Sequence, residues 1–275
     1  MAAGPIAPTA DRPTAAPPSG GRGRHRTGAL AGVLRGCAAL ALSEPEILGL
    51  DRIVRAGDVC FDIGAAYGMY TYPLAALVGP AGRVYGFEPL PNPFRILAAG
   101  HRATGAGNVR VFNAALGRRE GTAELTLPIR FGLPIHGWAH LREGVAEGSA
   151  PPEYAATRTS RALRTRVRTV DGFCADHGIG RVDFMKVDVE GFEPAVLAGA
   201  ERVLAEHRPS LLMEIEDRHL AKYGTDCAAI VAALAERGYR MYAWRRREWR
   251  PVDAVDGSSP RYRNYLFATE EAWRR

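Results

Sequence analysis

Residues 58–89, which read DVCFDIGAAYGMYTYPLAALVGPAGRVYGFEP, decide the fold of this chain. Residues 59–63 form a short apolar run that only Asp62 interrupts, as is typical of a strand buried on both faces of a parallel sheet. Helical spacing follows over residues 70–78, and residues 83–87 read as the next strand. The stretch therefore predicts the strand–turn–helix–strand unit of an open α/β sheet, in which ligands bind beyond the carboxyl ends of the strands.

Two acids flank the turn of this unit. Asp62 lies near the end of the first strand and Glu88 at the end of the second, while Gly64 and Gly68 let a ligand or another backbone come close to the turn. An acid in the position of Glu88 is well placed to accept hydrogen bonds from ribose hydroxyls. We therefore expect a ribose-containing ligand at this edge of the sheet.

The spacing of the glycines indicates which class of nucleotide cofactor this turn could bind. The pattern D-x-G-x-x-x-G lacks the third glycine of a dinucleotide fingerprint and the G-K-[ST] of a P-loop, which disfavours an NAD-linked oxidoreductase. A glycine turn between two acids suits a cofactor that has a cationic amino-acid part and a ribose but no phosphate. S-adenosylmethionine fits that description. The alternative interpretation is an ordinary βα turn without a ligand.

Composition limits the other possibilities. The 275 residues are 47% hydrophobic and suit one large α/β domain, and no uncharged apolar run reaches the roughly 18 residues of a membrane span. The four cysteines are scattered, without C-x-x-C or paired Cys/His spacing. They read as reduced thiols of a cytoplasmic protein rather than as a disulfide framework or a zinc site.

The net charge of +6 comes almost entirely from arginine, in clusters within residues 12–35, 158–168 and 245–250. Such clusters can bind a polyanion, but aromatic residues accompany only the third, through Trp244 and Trp249. Solvated surfaces are the favoured interpretation, and a nucleic-acid partner is not expected.

Sequence character divides the chain into a tail and one domain. Residues 1–26, rich in Pro, Gly and Arg, are predicted to be a disordered basic tail, and residues 27–275 a single domain. Residues 27–57 show two helical segments that we expect to pack on the sheet edge or to cover the cofactor mouth. Residues 128–165 fit no period, and we interpret them as an insertion that covers the substrate.

Further strands complete the predicted sheet, at residues 108–115, 182–187, 211–215, 238–244 and 262–268. Helical segments alternate with them, which predicts a seven-stranded, mostly parallel sheet with helices on both faces. No helix separates the final two strands, so that pair should be antiparallel. Asn113 ends the third strand and could either hydrogen-bond an adenine edge or serve the turn.

Several motifs in order carry a family resemblance: FDIGAAYGMYT (61–71), GFEP (86–89), TVDGF (169–173), VDFMKVDVEGFEPAVLAGA (182–200) and NYLF (264–267). Together with the strand that holds Glu214, they resemble the FkbM family of S-adenosylmethionine-dependent methyltransferases, over about residues 43 to 270. The resemblance implies the class I methyltransferase (Rossmann-like) fold and S-adenosylmethionine as methyl donor. It also implies O-methylation of a hydroxyl on a sugar or a secondary metabolite.

The same resemblance implies roles for the turn residues. Gly64 and Gly68 should cradle the methionine part of the cofactor, Asp62 should face its amino group, and Glu88 should hold the ribose. Pro89 should flank the adenine together with Phe87. The predicted cofactor contacts are thus Asp62, Gly64, Ala65, Tyr67, Gly68, Glu88, Pro89, Asn113 and Asp188.

Methyl transfer requires positioning and removal of the acceptor proton. Asp188, at the carboxyl end of its strand, is the first candidate for a base or an acceptor-orienting group. His140 and His136 are the alternative bases. Asp188, Glu214 and His219 could also gather a divalent cation, although their spacing does not specify one.

A small-molecule O-methyltransferase is therefore the leading interpretation. An RNA-modifying methyltransferase that uses the arginine clusters and a non-catalytic cofactor-binding scaffold are the alternatives. The acceptor itself is not encoded in any motif of the sequence.

Overall fold

The computed structural model describes residues 21–130, 133–135, 139–145, 159–256 and 263–274. Its strands are β1 Val59–Ile63, β2 Arg83–Phe87, β3 Val109–Phe112, β4 Ala115–Leu116, β5 Gly121–Arg130, β6 Leu133–Pro134, β7 His140–Leu141, β8 Thr159–Arg168, β9 Phe184–Val187, β10 Ser210–Glu214, β11 Arg240–Arg245, β12 Glu248–Pro251 and β13 Asn264–Ala268.

The helices are α1 Gly21–Ala39, α2 Thr71–Val78, α3 Pro91–Thr104, α4 Val170–Asp176, α5 Glu193–Ala198, α6 Asp217–Leu220, α7 Cys227–Glu236 and α8 Glu270–Arg274. Short 3₁₀ helices cover Pro45–Arg52 and Ala221–Tyr223, and a π-helical turn covers Val203–His207. None of the helices in the described ranges combines the length and apolarity that a membrane span needs.

The main sheet has the strand order β12-β11-β13-β10-β9-β1-β2-β3 among the described residues. Strands β3, β2, β1, β9 and β10 are parallel, whereas β13 lies antiparallel between β10 and β11. This arrangement confirms the mostly parallel sheet and its antiparallel final pair. The parallel strands bury both faces, because helices cover both sides.

Side chains alternate across β1 and divide the core into two apolar clusters. Phe61 and Ile63 pack with Phe87 and Phe173 on one face of the sheet, and Cys60 packs on the other face with the N-terminal helical segments. Asp62 shares the second face, and its side chain therefore lies away from the Phe61 cluster. This division decides which residues can reach the site at the sheet edge.

In the part of the chain that the structure describes, the main sheet has eight strands rather than the predicted seven. The extra strand, β12, pairs with β11 through a two-residue turn at Arg246 and Arg247, whose φ angles are +52° and +65°. Such a turn ordinarily carries Asn or Gly, because both central residues need positive φ. Because Arg246 and Arg247 are neither Asn nor Gly, the sequence did not predict this turn.

The interpretation of residues 128–165 as an irregular insertion was wrong for the parts that the structure describes. A second sheet has the order β4-β8-β5-β6, and β7 also pairs with β5. Strands β5 and β8 run antiparallel over nine residue pairs, from Gly121↔Val167 to Ile129↔Thr159. The outer half of β8 is exposed, and arginines occupy alternate positions along its inner half, so the strand shows no apolar period of two. His136 lies outside the described residues.

The N-terminal boundary also differs from the prediction. The first helix begins at Gly21, so residues 21–26 are helical rather than disordered. Residues 1–20 lie outside the described part of the chain. In the segment 27–57, the helix is followed by the 3₁₀ helix, whose Ile47 and Leu50 are fully buried against the sheet.

Candidate active site

A cavity of about 290 Å³ lies at the carboxyl ends of β1, β2 and β9. One side of it is formed by the turn after β1 and the end of β2, and includes Gly64, Tyr67, Glu88 and Pro89. Another part of the lining comes from the second sheet and the turn after β9, and includes Leu125, His140, Leu141, Asp188, Glu190 and Phe192. Six of the residues predicted from the sequence therefore line one cavity.

The turn after β1 brings the backbone against β9. Gly64 has a φ of +83°, and a Cβ at this position would lie 1.8 Å from the carbonyl oxygen of Asp188. The N–H groups of Gly64 and Ala65 both donate to the carbonyl oxygen of Phe87, at 3.0 and 2.9 Å. The absence of a side chain at residue 64 thus allows three strand ends to meet at the cavity floor.

Glu88 is buried at the cavity wall and organises the turn. The N–H of Ala66 donates to Oε2 and the N–H of Leu90 donates to Oε1, both at 2.8 Å. Burial raises the pKa of Glu88 to about 7, although these two hydrogen bonds lower it. Each carboxylate oxygen keeps a second lone pair, so the group can still accept hydrogen bonds from a ligand hydroxyl.

Three predicted contact residues do not line the cavity. Asp62 is buried below the turn, where the Thr71 hydroxyl donates to its Oδ2. Burial raises the pKa of Asp62 to about 6, against the lowering effect of that hydrogen bond and of the Lys186 charge. Ala65 is buried, and Gly68 packs against the Tyr72 ring. These residues shape the turn from beneath.

Asn113 also lies outside the cavity lining. Its amide nitrogen donates to the carbonyl oxygens of Glu88 and Pro89, at 2.8 and 3.1 Å. The side chain thus holds the backbone that carries Glu88. Of the two interpretations of Asn113, this geometry favours turn chemistry.

Asp188 lines the cavity and forms an ion pair. The Lys186 ammonium, which is fully buried, donates to Asp188 Oδ2 at 3.3 Å and to Asn264 Oδ1 at 2.9 Å. Burial alone would lower the pKa of Lys186, but the negative charges of Asp188, Glu44 and Glu214 raise it above its ordinary value. Lys186 is therefore a permanent cation beside the cavity.

The predicted cation set of Asp188, Glu214 and His219 is only partly brought together. Glu44 takes the third place, and single oxygens of Glu44, Asp188 and Glu214 lie within 4.8 Å of one another. The Lys186 ammonium lies at this same group and supplies a positive charge to it. Burial, followed by the charge of Asp188, raises the pKa of Glu214 to about 10. In this cluster Glu214 therefore carries its proton at neutral pH, while Lys186 is paired with Asp188.

His219 instead belongs to a chain of side chains that ends at Glu190. Its Nε2 lies 3.3 Å from Glu190 Oε2 and its Nδ1 lies 3.3 Å from Lys222 Nζ. Burial, then the charges of Lys222 and Arg218, lowers the pKa of His219 to about 4. The imidazole is therefore neutral at physiological pH.

His140 reaches the cavity from β7, which pairs with β5 through Thr126. The other predicted base, His136, is outside the described residues. The second sheet thus contributes part of the cavity lining.

Ala66 and Glu190 also line the cavity, and neither was among the predicted site residues. Ala66 has a φ of +44° and gives its N–H to Glu88, and Glu190 has a φ of +56°. Both are non-glycine residues in the left-handed region, which no local signal predicts at these positions. Glu190 stands two residues after Asp188 in the motif DVEGFE, and that proximity was the available clue.

Comparison with known proteins identifies the family. The sequence model of the methyltransferase FkbM domain matches residues 62–241. The chain is 29% identical over 206 residues to the 31-O-demethyl-FK506 methyltransferase FkbM of Streptomyces tacrolimicus, covering 69% of this chain and 75% of that protein. It is 23% identical over 218 residues to the AMB antimetabolite synthetase AmbE of Pseudomonas aeruginosa, covering 71% of this chain and 10% of that protein.

Among solved structures, the chain resembles a methyltransferase FkbM from Methylobacillus flagellatus, with 18% identity and a TM-score of 0.46, over 76% of this chain and 43% of that chain. It also resembles an O-methyltransferase from Bacillus cereus in complex with SAH, with 14% identity and a TM-score of 0.44, over 87% of this chain and 89% of that chain. The family match and the strand order of the main sheet confirm the predicted class I methyltransferase fold. Because the domain model covers most of the chain, the protein belongs to the FkbM family of S-adenosylmethionine-dependent methyltransferases.

Proposed function

We propose that the protein is an O-methyltransferase that transfers the methyl group of S-adenosylmethionine to a hydroxyl of a small molecule, either a secondary metabolite or a sugar. The observation that carries the proposal is that one cavity is lined both by the turn at Gly64 and Glu88 and by Asp188 and His140. A cofactor held on the first side would meet an acceptor held on the second.

The residues on the first side fit the cofactor. The carboxylate of Glu88 keeps free lone pairs for ribose hydroxyls, and the glycine at residue 64 lets the turn that lines the cavity lie directly against the backbone of Asp188. Leu90 and Pro93 add an apolar wall beside Pro89, suited to the flat face of a base. When bound, S-adenosylmethionine supplies a methyl group on a sulfonium sulfur, which leaves as a neutral thioether. The protein therefore has to position two partners and manage one proton.

The residues on the second side fit a hydroxyl on a largely apolar body. Leu125, Leu141 and Phe192 form apolar walls, and the polar groups beside them are Asp188 and His140. Asp188 is ion-paired to Lys186 and so presents a fixed carboxylate, which we assign to orienting the acceptor hydroxyl. We assign His140 as a second acceptor contact. The Streptomyces relative is a 31-O-demethyl-FK506 methyltransferase, which supports an alcohol acceptor here.

The arginine clusters give less support to an RNA acceptor. Arg168 is buried and ion-paired to Glu120 and Asp176, and Arg245 pairs with Asp256. We therefore propose a small-molecule acceptor. We also propose a cytoplasmic location, consistent with cysteine residues that carry free thiols in the structure.

A transfer assay tests the proposal. Purified protein would be incubated with methyl-labelled S-adenosylmethionine and a panel of 31-O-demethyl-FK506, polyketide alcohols, sugars and total RNA. We expect label in an alcohol as a methyl ether, slowed about 10²-fold in Asp188→Asn because the acceptor is misplaced. The matched control, Asp253→Asn, changes an exposed aspartate and should keep the wild-type rate.

The alternatives give different outcomes in the same assay. Label in RNA alone would replace the small-molecule proposal with an RNA-modifying one. Cofactor binding without label in any acceptor of the panel would support the non-catalytic scaffold. Equal rates in Asp188→Asn and wild type would remove Asp188 from the acceptor contacts.

A further inference from the structure

A second carboxylate, Glu190, lines the cavity two residues after Asp188. Its backbone is in the left-handed region, with a φ of +56°, which is costly for a residue with a side chain. The buried carboxylate of Glu193 holds this turn, because its Oε1 accepts from the N–H groups of Val189 and Gly191 at 3.1 and 3.2 Å. The strained conformation is thus built into the structure of the site.

The turn is also pressed against α6. Gly191 has a φ of +100°, and a Cβ there would lie 2.3 Å from the carbonyl oxygen of His219. This close approach places Glu190 Oε2 3.3 Å from His219 Nε2. The strained backbone of Glu190 and the glycine at residue 191 therefore both bring the Glu190 carboxylate close to the buried imidazole of His219.

The hydrogen-bond donors determine the tautomer of His219. The Lys222 ammonium has only N–H donors, and its Nζ lies 3.3 Å from His219 Nδ1, so Nδ1 accepts. The proton of the neutral ring is then on Nε2, the nitrogen that lies 3.3 Å from Glu190 Oε2 and 3.7 Å from Glu216 Oε1. Both Lys222 and His219 are buried, at 1% and 5% exposure. Glu190 is thus the cavity end of a chain of close polar contacts that continues into the interior.

We propose that Glu190 is the catalytic base that removes the proton of the acceptor hydroxyl, and that His219 and Lys222 position it. This inference rests on the proposed O-methyltransferase function. The O–H bond of the acceptor breaks and its proton passes to a carboxylate oxygen of Glu190. The acceptor oxygen uses that electron pair to form a bond to the methyl carbon, whose bond to sulfur breaks with its electrons staying on sulfur. Glu190 then returns the proton to water.

The electrostatic surroundings suit this role. Burial, then the charges of Asp188 and Glu193, raises the pKa of Glu190 to about 8, while Lys222 lowers it and Glu216 raises it. A general base works best when its pKa lies near the operating pH. Asp188 differs, since the Lys186 ammonium already binds its carboxylate. The two cavity carboxylates therefore divide into an orienting group and a proton acceptor.

The first test needs no acceptor. Protein carrying ¹³C at the glutamate carboxyl carbon would be titrated by NMR from pH 5 to 10, with Glu190→Gln used for assignment. We expect Glu190 to titrate near pH 8 in the wild type. His219→Phe removes the donor and should raise the pKa of Glu190, whereas His219→Gln keeps an amide N–H and should restore it.

Titration of Glu190 at the ordinary glutamate value would overturn the proposal. So would an unchanged titration in folded His219→Phe protein. If that variant does not fold, Lys222→Met serves instead, because loss of the ammonium should also raise the pKa of Glu190.

The second test measures transfer to 31-O-demethyl-FK506, or to the panel alcohol that the wild type methylates fastest. Glu190→Gln should lose about 10²- to 10⁴-fold in rate, as expected for removal of a general base, while its S-adenosylmethionine affinity stays within about threefold of wild type. The rate in His219→Phe should need a higher pH to reach its plateau. Glu201→Gln, at a surface ion pair with Arg237, is the matched control.

These results separate the two proposals. Wild-type protein that fails to bind S-adenosylmethionine contradicts the proposed function itself. Normal binding together with an undiminished rate in Glu190→Gln contradicts only the assignment of the base. A pH profile that is the same in His219→Phe and wild type contradicts the positioning role of His219.

Discussion

At the scale of single residues, the site depends on how closely the backbone of the first turn approaches β9. Gly64 has positive φ, and a Cβ there would overlap the Asp188 carbonyl oxygen at 1.8 Å. Gly57 has nearly the same φ, +88°, but a Cβ at that position would meet nothing within 4 Å. Substitutions at these two glycines therefore distinguish the energetic cost of a positive φ from the cost of a clash with the Asp188 carbonyl oxygen.

We predict that Gly64→Ala lowers the free energy of unfolding by about 3–5 kcal/mol, because strain and a backbone clash add. Gly57→Ala should lower it by only about 1 kcal/mol, from positive φ alone. Urea unfolding of both variants measures the difference. Equal losses would show that the approach of Gly64 to Asp188 contributes nothing.

Residue types at strand ends were predictable, but side-chain directions were only partly so. Glu88 and Asp188 follow buried strands, and the carboxyl ends of parallel strands meet at one edge. Asp62 points to the opposite face from Ile63, so its position near the strand end did not place it in the cavity. Ala66 contributes through its backbone N–H, which its side chain could not reveal.

At the scale of elements, the C-terminal end of α2 is held by the residue that directly precedes β3. The last carbonyl groups of a helix lack partners within it. The amide nitrogen of Asn108 donates to the carbonyl oxygens of Ala75 and Gly79, both at 2.8 Å. One side chain at the start of β3 therefore ties down the C-terminal end of the helix that follows the glycine turn.

We predict that Asn108→Ala lowers the free energy of unfolding by about 1–3 kcal/mol, since it leaves these partly buried carbonyl groups without that donor. Asn92→Ala, at an exposed position in α3, should change it by less than about 0.5 kcal/mol. Thermal and urea unfolding of the two variants would give the comparison. A loss in Asn92→Ala as large as in Asn108→Ala would contradict this role for the Asn108 amide.

The elements that escaped prediction share a physical cause. The turn between β11 and β12 has positive φ at Arg246 and Arg247, without the Asn or Gly that marks such turns. Strand β8 is paired to β5 along its length, yet its outer half buries little, so its hydrophobic pattern is weak. In both places long-range pairing, rather than local preference, determines the structure.

At the scale of the whole molecule, several buried carboxyl groups share a raised pKa. Burial raises the pKa of Glu46, Glu88 and Glu193 to about 7 and that of Glu190 to about 8. Between their unfolded and folded pKa values, the folded protein binds more protons than the unfolded chain. These groups therefore stabilise the fold fully at low pH, and that contribution is lost as the pH rises through their folded values.

We predict that the apo protein unfolds at lower urea concentration at pH 8.5 than at pH 6.5. His101 and His219, with pKa lowered to about 4 mainly by burial, act oppositely, but only below the unfolded value of 6.5. Urea titrations at constant ionic strength test this window. Glu46→Gln should reduce the slope, and stability that rises between the two pH values would contradict the raised pKa values.

The complete cavity could not be predicted from local sequence patterns. The predicted order of strands placed Gly64, Glu88 and Asp188 at one sheet edge, and the structure confirms it. The apolar walls come from Leu125 and Leu141 of the second sheet, which depends on pairing between distant segments. The chain from Glu190 to Lys222 likewise requires two turns far apart in sequence to meet.

The central claim is that the turn at Gly64 and Glu88 binds S-adenosylmethionine, and calorimetric titration tests it most directly. We predict that wild-type protein binds S-adenosylmethionine and S-adenosylhomocysteine but not NAD. Glu88→Gln should weaken binding by about 10- to 100-fold, because its amide N–H₂ would face the N–H of Ala66 or Leu90. Glu201→Gln should bind as wild type does. Absence of binding by the wild type, or equal binding in folded Glu88→Gln, would contradict the account.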